Sequence, residues 1–227
     1  PDGTVKLGFR AHYPQLETKL TVRGRDMDDV RRKLAPVEQE VRKRLGNFIL
    51  AEDGSTLEGV VLDALESIGG TLAVVEMFTS GQIAARIAHL PGAERVFRRG
   101  VVARDLGEAC AAVGIDPGSF PEGITRETAE AVARAAQRYT GATHALAVLI
   151  DIDEGADRLE FGGTICIAIA TAENIASRRS RVVGGRDWVR LGATEMGLDC
   201  LRRYLKGLPV SERIDFEKVE SDPGRPR

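Results

Sequence analysis

Two stretches of this sequence limit its fold more than any other feature. Residues 145–150 read Ala-Leu-Ala-Val-Leu-Ile, and residues 164–170 read Thr-Ile-Cys-Ile-Ala-Ile-Ala, nearly without a polar side chain. Such runs fall far short of the ~20 residues that cross a bilayer, and β-branched residues recur in them. They read as strands covered on both faces, as in an α/β protein. Residues 176–183 read as a third strand beside them. Earlier in the chain, strand and helix alternate. Ser55-Thr56-Leu57-Glu58 is a capping box opening a helix with Leu57, Val60, Val61, Ala64, Leu65 and Ile68 on one face, and Gly69-Gly70 stops it. Residues 71–75 form a short strand, followed by Thr79-Ser80-Gly81 and a helix carrying Ile83, Ile87 and Ala88. Residues 101–103 read as a strand and 108–113 as a short helix. Thr125 caps a helix with Ala129, Val132, Ala133, Ala136 and Tyr139 inward. A last helix covers 187–205. Residues 209–227, rich in Pro, Gly and charge, show no core pattern and are expected to be a disordered tail.

Residues 1–52 read as a separate compact α+β unit. Residues 5–11 and 17–22 pattern as strands joined through His12-Tyr13-Pro14. Their cover is a helical stripe, Met27, Val30, Leu34, Val37, Val41 and Leu45, opened by Asp26 and expected to bend or restart at Pro36. Residues 47–50 would return as a third strand. Basic triplets at 31–33 and 42–44 alternate with Asp28, Asp29, Glu38 and Glu40, the pattern of a solvated helix face.

Composition removes several function classes. The 227 residues carry 32 Lys plus Arg against 34 Asp plus Glu, a formal charge of −2. That balance supplies no cationic field to hold nucleic acid or anionic lipid. Cys110, Cys166 and Cys200 have no CxxC or Cys/His metal spacing and fit a reducing, cytoplasmic setting without disulfides. His12, His89 and His144 stand in separate segments, each read as structural. The acidic loop Asp151, Asp153, Glu154 and Asp157 lacks the glycine and terminal glutamate of a calcium loop. Neither metal nor cofactor is expected. The chain begins at Pro1, which suggests a piece of a longer polypeptide.

One place invites chemistry. Thr79-Ser80-Gly81 falls between a buried strand and a helix, where backbone N–H groups can hold an anion such as a nucleotide phosphate, although the same residues also serve as ordinary caps.

Residues 71–81, Thr-Leu-Ala-Val-Val-Glu-Met-Phe-Thr-Ser-Gly, resemble the TLAVAESCTGG segment of the CinA C-terminal domain. Further segments follow in that family's order. Pro91-Gly92-Ala93 is similar to its PGAS, Gly100-Val101-Val102-Ala103 to its GVVAYSNEAK and Ile124–Ala129 to its VSEETA. Gly163-Thr164 resembles its VGT strand and residues 185–190 its GDRDxVR. The resemblance runs from about Ser55 to Leu208. Residues 1–50, with Leu7-Gly8-Phe9-Arg10-Ala11-His12-Tyr13-Pro14, resemble the KH-like middle domain of full-length members. The resemblance therefore implies a small KH-like α+β N-terminal domain over 1–52 followed by a CinA C-terminal-type three-layer α/β/α domain over 53–208. It also implies homo-oligomers and a MoaB-like domain preceding this part of a longer polypeptide.

Active members of that family are nicotinamide mononucleotide deamidases, which the resemblance credits with a serine nucleophile activated by lysine and assisted by tyrosine, threonine and arginine. Carried over by position, the serine falls on Met77, the tyrosine on Arg104, the lysine on Ala109 and the threonine on Leu149. A thioether has no proton to lose and forms no acyl intermediate. No catalytic residue is therefore expected. Thr79, Ser80, Gly81, Gly163, Thr164 and Arg186 remain as candidate contacts for a nucleotide. The expectation is a non-catalytic nucleotide-binding or assembly module; the alternative is an active deamidase rebuilt around Ser80. RNA binding through the KH-like unit needs a GxxG loop, and residues 1–54 contain none.

Overall fold

The computed structural model describes residues 4–12, 15–120, 123–153 and 161–212. The chain separates into two compact units, Pro1–Gly54 and Ser55–Arg227.

In the first unit, β1 (Val5–His12) and β2 (Gln15–Val22) form an antiparallel hairpin in which Leu7 faces Leu20 and Phe9 faces Thr18. Helix α1 (Met27–Leu45) starts where Asp26 accepts the Asp29 N–H at 2.8 Å. Pro36 neither ends nor restarts it. The proposed inward stripe is only half-covered, and Met27 and Leu45 are exposed. The buried residue of α1 is Asp29, whose carboxylate accepts from Lys33 Nζ at 2.8 Å and the Arg25 N–H at 3.0 Å. These bonds, that of Lys33 foremost, hold its carboxyl below the usual range. The third strand expected at 47–50 is absent. Gly46–Phe48 is a 3₁₀ turn instead, with Gly46 at φ 50° and the Ile49 N–H closing on the Gly46 carbonyl. The end of α1 is tightened by this turn before residues 47–50 can reach a strand edge.

The second unit is built on a five-stranded sheet in the order β4-β3-β5-β6-β7. Helix α2 (Leu57–Ser67) leads into β3 (Leu72–Met77), then α3 (Gln82–Ala88), the short α4 (Ala93–Val96) and β4 (Phe97–Ala103). Helices α5 (Leu106–Ala111) and α6 (Arg126–Thr140) precede β5 (His144–Ile152). β6 (Gly162–Ala170), β7 (Ile175–Val183) and α7 (Arg186–Leu205) complete the unit. β3 runs parallel to β4 and β5, whereas β6 and β7 add antiparallel on the far side. The parallel strands are thus the ones joined by helical crossovers, and the antiparallel ones follow by direct return.

Strand periodicity assigns each face a distinct packing partner. Ala73, Val75, Ala145, Ala147, Ala168 and Ala170 join Ala129, Val132, Ala133 and Ala136 of α6 in one buried cluster. Small side chains on both sides let α6 lie close to the sheet. The alternate residues, including Leu146, Val148, Ile165 and Ile167, are fully buried on the opposite face under α7. There Gly197 lets α7 approach so closely that an added Cβ would lie 2.8 Å from a Val148 methyl.

Local signals account for most boundaries, with informative exceptions. Thr125 accepts the Thr128 N–H and caps α6 as the sequence indicates. The cap of α2 is Thr56, not Ser55; Thr56 Oγ1 accepts the Gly59 N–H, and Glu58 serves elsewhere. Gly69 and Gly70 close α2, with the Gly70 N–H on the Leu65 carbonyl at 2.7 Å. Ile68 and Tyr139, expected inward, are exposed. Tyr139 lies at the last turn of α6, where Arg99 stacks on its ring at 5.0 Å. The tail expected from residue 209 begins as an ordered turn through Glu212; residues 213–227, like the Tyr13-Pro14 turn, lie outside the described residues.

Candidate functional site

The junction of β3 and α3 is the most constrained point of the second unit. Glu76 is the one charged residue in a strand whose six residues are all buried, and it is fully enclosed. A carboxylate there must be met by donors, because burying it unpaired would cost several kcal/mol. Thr79 Oγ1 donates to it at 2.5 Å, the Ile83 N–H at 3.1 Å and the Ala84 N–H at 3.0 Å. Glu76 therefore takes the place of an N-cap for α3, whose cap residue Gly81 makes no side-chain hydrogen bond.

Reaching that arrangement forces the turn into left-handed backbone. Phe78 has φ 71°, Ser80 φ 61° and Gly81 φ 81°. Only glycine adopts this region freely, so Phe78 and Ser80 each carry roughly 1–2 kcal/mol of strain. The Phe78 ring supports the Arg186 guanidinium from the start of α7 at 4.9 Å. The turn, Arg186 and the first turn of α7 are thereby drawn together. Thr79 faces inward onto Glu76, while Ser80 is exposed.

The remaining expected contact residues divide between the two faces of β6. Gly163 lies under α7, where an added Cβ would stand 2.9 Å from Val189. Thr164 projects to the other face beside Asp151 and Arg181 in register. In the acidic loop, Asp153 pairs with Arg181; Glu154 and Asp157 lie outside the described residues. Among the described residues no group of three or more His, Cys, Asp or Glu is placed to hold a metal ion.

Met77 points away from Glu76, into the α6 side of the sheet. Met77, Ala109 and Leu149 are buried in the same apolar cluster as Ala103 and Cys166. Arg104 stands at its rim, exposed, its backbone N–H on the Glu108 carboxylate at 3.0 Å. Cys166 lies opposite Leu149 in the β5–β6 register. Burial pushes its thiol up to about 11, so it stays protonated and unreactive near neutrality. The histidines lie elsewhere: His89 Nδ1 contacts the Ala85 carbonyl within the α3 segment, and His144 Nδ1 meets Thr143 Oγ1 at the opposite end of the sheet.

Sequence reasoning missed Glu76, and one signal marked it: a lone carboxylate closing an apolar strand needs a buried partner. It also missed the Arg86 bridge, in which α3 pairs with Glu58 of α2 at 2.7 Å and with Glu195 of α7.

A mixed α/β sheet layered between helices, with a carboxylate-capped turn after its central parallel strand, defines the class of fold. The sequence pattern described as the CinA C-terminal domain matches residues 54–205. A CinA-like protein of Frankia casuarinae is 34% identical over 92% of this chain and 49% of its own length. One from Myxococcus xanthus is 33% identical over 91% and 50%. The chain belongs to the CinA family, and it spans about half the length of these curated relatives. Solved structures agree at the level of fold. The competence or damage-inducible protein of Enterobacter asburiae superposes with a TM-score of 0.58 at 19% identity, covering 67% of this chain and 99% of its own. The Agrobacterium tumefaciens protein CihA gives 0.57 at 21% identity, covering 69% and 99%.

Proposed function

We propose that this chain is a non-catalytic member of the CinA family, kept as a nucleotide-binding or assembly module within a longer polypeptide. The observation that carries the reading is the company Met77 keeps. Three of the four positions onto which the family's catalytic groups carry over, Met77, Ala109 and Leu149, are apolar and buried in one cluster. A nucleophile and base acting together need neighbouring polar side chains open to substrate. The nucleophile types in the cluster, Cys110 and Cys166, are buried thiols whose ionisation burial disfavours. Loss of nucleophile and base together leaves only the catalytic contribution of binding.

The ligand half of the proposal falls on Ser80, Gly81 and Arg186, since Gly163 is packed under α7 and Thr164 faces the other side of β6. Thr79 and the α3 amides are already engaged by Glu76, so a phosphate has to be met by Ser80 and Arg186 rather than by the helix start. Residues 1–52 are read as KH-like on the strength of their resemblance. Their hairpin-then-helix order supports it, and the missing third strand counts against it. Self-association, a MoaB-like domain elsewhere in the polypeptide and a cytoplasmic setting complete the reading. The buried free thiols Cys110, Cys166 and Cys200 suit a reducing compartment.

The test is ammonia release from nicotinamide mononucleotide. Purified chain is expected to give none above buffer. The combined variant Met77→Ser, Arg104→Tyr, Ala109→Lys and Leu149→Thr is expected to gain turnover if the positional carry-over is right. Turnover by the unmodified chain that disappears in Ser80→Ala would overturn the proposal in favour of a rebuilt enzyme.

A further inference from the structure

Beyond the β3–α3 turn, charge is buried most densely at the C-terminal end of α7. Arg202 and Arg203 of α7 and Arg178 of β7 are 2%, 0% and 4% exposed. Asp199, one turn earlier, accepts from Arg202 Nε and Arg203 Nε, both at 2.7 Å. Other donors of the cluster turn to the segment that follows the helix. Arg203 Nη1 donates to the Pro209 carbonyl at 3.3 Å and pairs with the Glu212 carboxylate. Arg178 Nη1 donates to the Val210 carbonyl at 3.2 Å, and the Cys200 thiol meets the same carbonyl at 3.8 Å.

The path of that segment is set by one residue. Gly207, at φ 67°, reverses the chain, with its N–H on the Tyr204 carbonyl and the Leu208 N–H on the Arg203 carbonyl. This is a helix C-cap that folds residues 208–212 back over the end of α7. What the segment presents to the guanidinium groups is a carboxylate and two carbonyl oxygens, the set of acceptors that a bound oxyanion would present.

We infer that residues 208–212 form a latch, hinged at Gly207 and fastened by Glu212 on Arg203, whose release uncovers an arginine-lined oxyanion site above Cys200. The latch opens locally because its grip is polar and lies at the end of the helix. The contacts that hold it include two carbonyls and a one-third-exposed carboxylate, whereas α7 beneath is fixed by buried apolar contacts with the sheet. An incoming oxyanion competes with Glu212 for the same guanidinium, so occupancy of the site and opening of the latch are one equilibrium.

Thiol labelling reads the latch directly, because Cys200 lies under it while Cys110 and Cys166 belong to the α6-side cluster. Each thiol is followed separately by mass spectrometry of its peptide after exposure to iodoacetamide. In Glu212→Gln, Cys200 is expected to react at least tenfold faster than in the unmodified chain, with Cys110 and Cys166 unchanged. Inorganic pyrophosphate should then raise the melting temperature of Glu212→Gln more than that of the unmodified chain. Equal protection of Cys200 and Cys166, or acceleration of all three thiols in step, would sink the latch. Faster Cys200 labelling without a pyrophosphate response would sink the oxyanion site. Should Glu212→Gln fail to fold, the unmodified chain in rising NaCl decides: acceleration confined to Cys200 is expected, and a uniform response refutes it.

Discussion

Replacing Glu76 by alanine tests how the β3–α3 turn is held. The change removes the acceptor for three donors: the Thr79 hydroxyl and the amides of Ile83 and Ala84. Hydrogen bonds to a charged group contribute about 1.5–3 kcal/mol each, so the gross loss is on the order of 4–9 kcal/mol. One methylene also leaves a fully buried position, at ~0.8 kcal/mol. Against this stands relief of the carboxylate's desolvation, worth several kcal/mol. The net expectation is a loss of about 3–5 kcal/mol, the range found when one member of a buried charged arrangement is deleted. Glu76→Gln keeps one carbonyl acceptor but turns an NH₂ group toward backbone donors, so a smaller loss of ~2 kcal/mol is expected. Urea unfolding with linear extrapolation measures both, and hydrogen exchange at Ile83 and Ala84 locates the damage. A loss below 1 kcal/mol for Glu76→Ala, with those two amides still protected, would refute the reasoning, since water would then be replacing the carboxylate without cost.

Three further outcomes follow from the same turn, helix packing and buried thiols. Ser80→Gly relieves a left-handed residue at φ 61° and should raise stability by ~1 kcal/mol, read as a higher urea midpoint at unchanged slope. Gly197→Ala places a Cβ 2.8 Å from Val148 and 3.2 Å from Ile83, so α7 must shift; a loss of about 1–3 kcal/mol is expected by thermal unfolding. Cys166 and Cys200 are raised by burial from 9.0 to about 11. A raised folded pKa stabilises below the unfolded value and loses that contribution as pH climbs through the folded one. Stability should therefore fall between pH ~9 and ~11 by up to roughly 2–3 kcal/mol per thiol, and Cys166→Ala should flatten part of that slope in a pH series of urea melts.

How much of this was legible in the sequence depended on whether the deciding interaction was local. The apolar runs at 145–150 and 164–170 announce strands covered on both faces, and β5 and β6 are buried along nearly their full length. Thr125 announces α6 because a cap acts within one turn. Asn47–Leu50 failed because a strand needs a partner edge, which no short window reports. Ser55 and Thr56 compete for one cap, and Glu58 tips the choice by pairing with Arg86, 28 residues away. The burial of Met77, Ala109 and Leu149 in one cluster was likewise beyond reach of spacing alone, since they come from a strand, a helix and a second strand.

A division of labour across β3 lets one strand serve two different layers. Successive residues of a strand point to opposite faces, so Glu76 and Met77 serve different layers although they are neighbours. Glu76 secures α3 on the α7 side, and this anchor makes no demand on what fills position 77. On the α6 side, Met77 shares an apolar cluster with Ala103, Ala109, Cys166 and Leu149, where a hydroxyl without a hydrogen-bond partner would be costly. Methionine at 77 fits that apolar cluster, its burial contributing ~0.8 kcal/mol per methylene. The packing demands on the two faces of this strand are therefore uncoupled, so a buried, hydrogen-bonded carboxylate stands directly beside an apolar cluster.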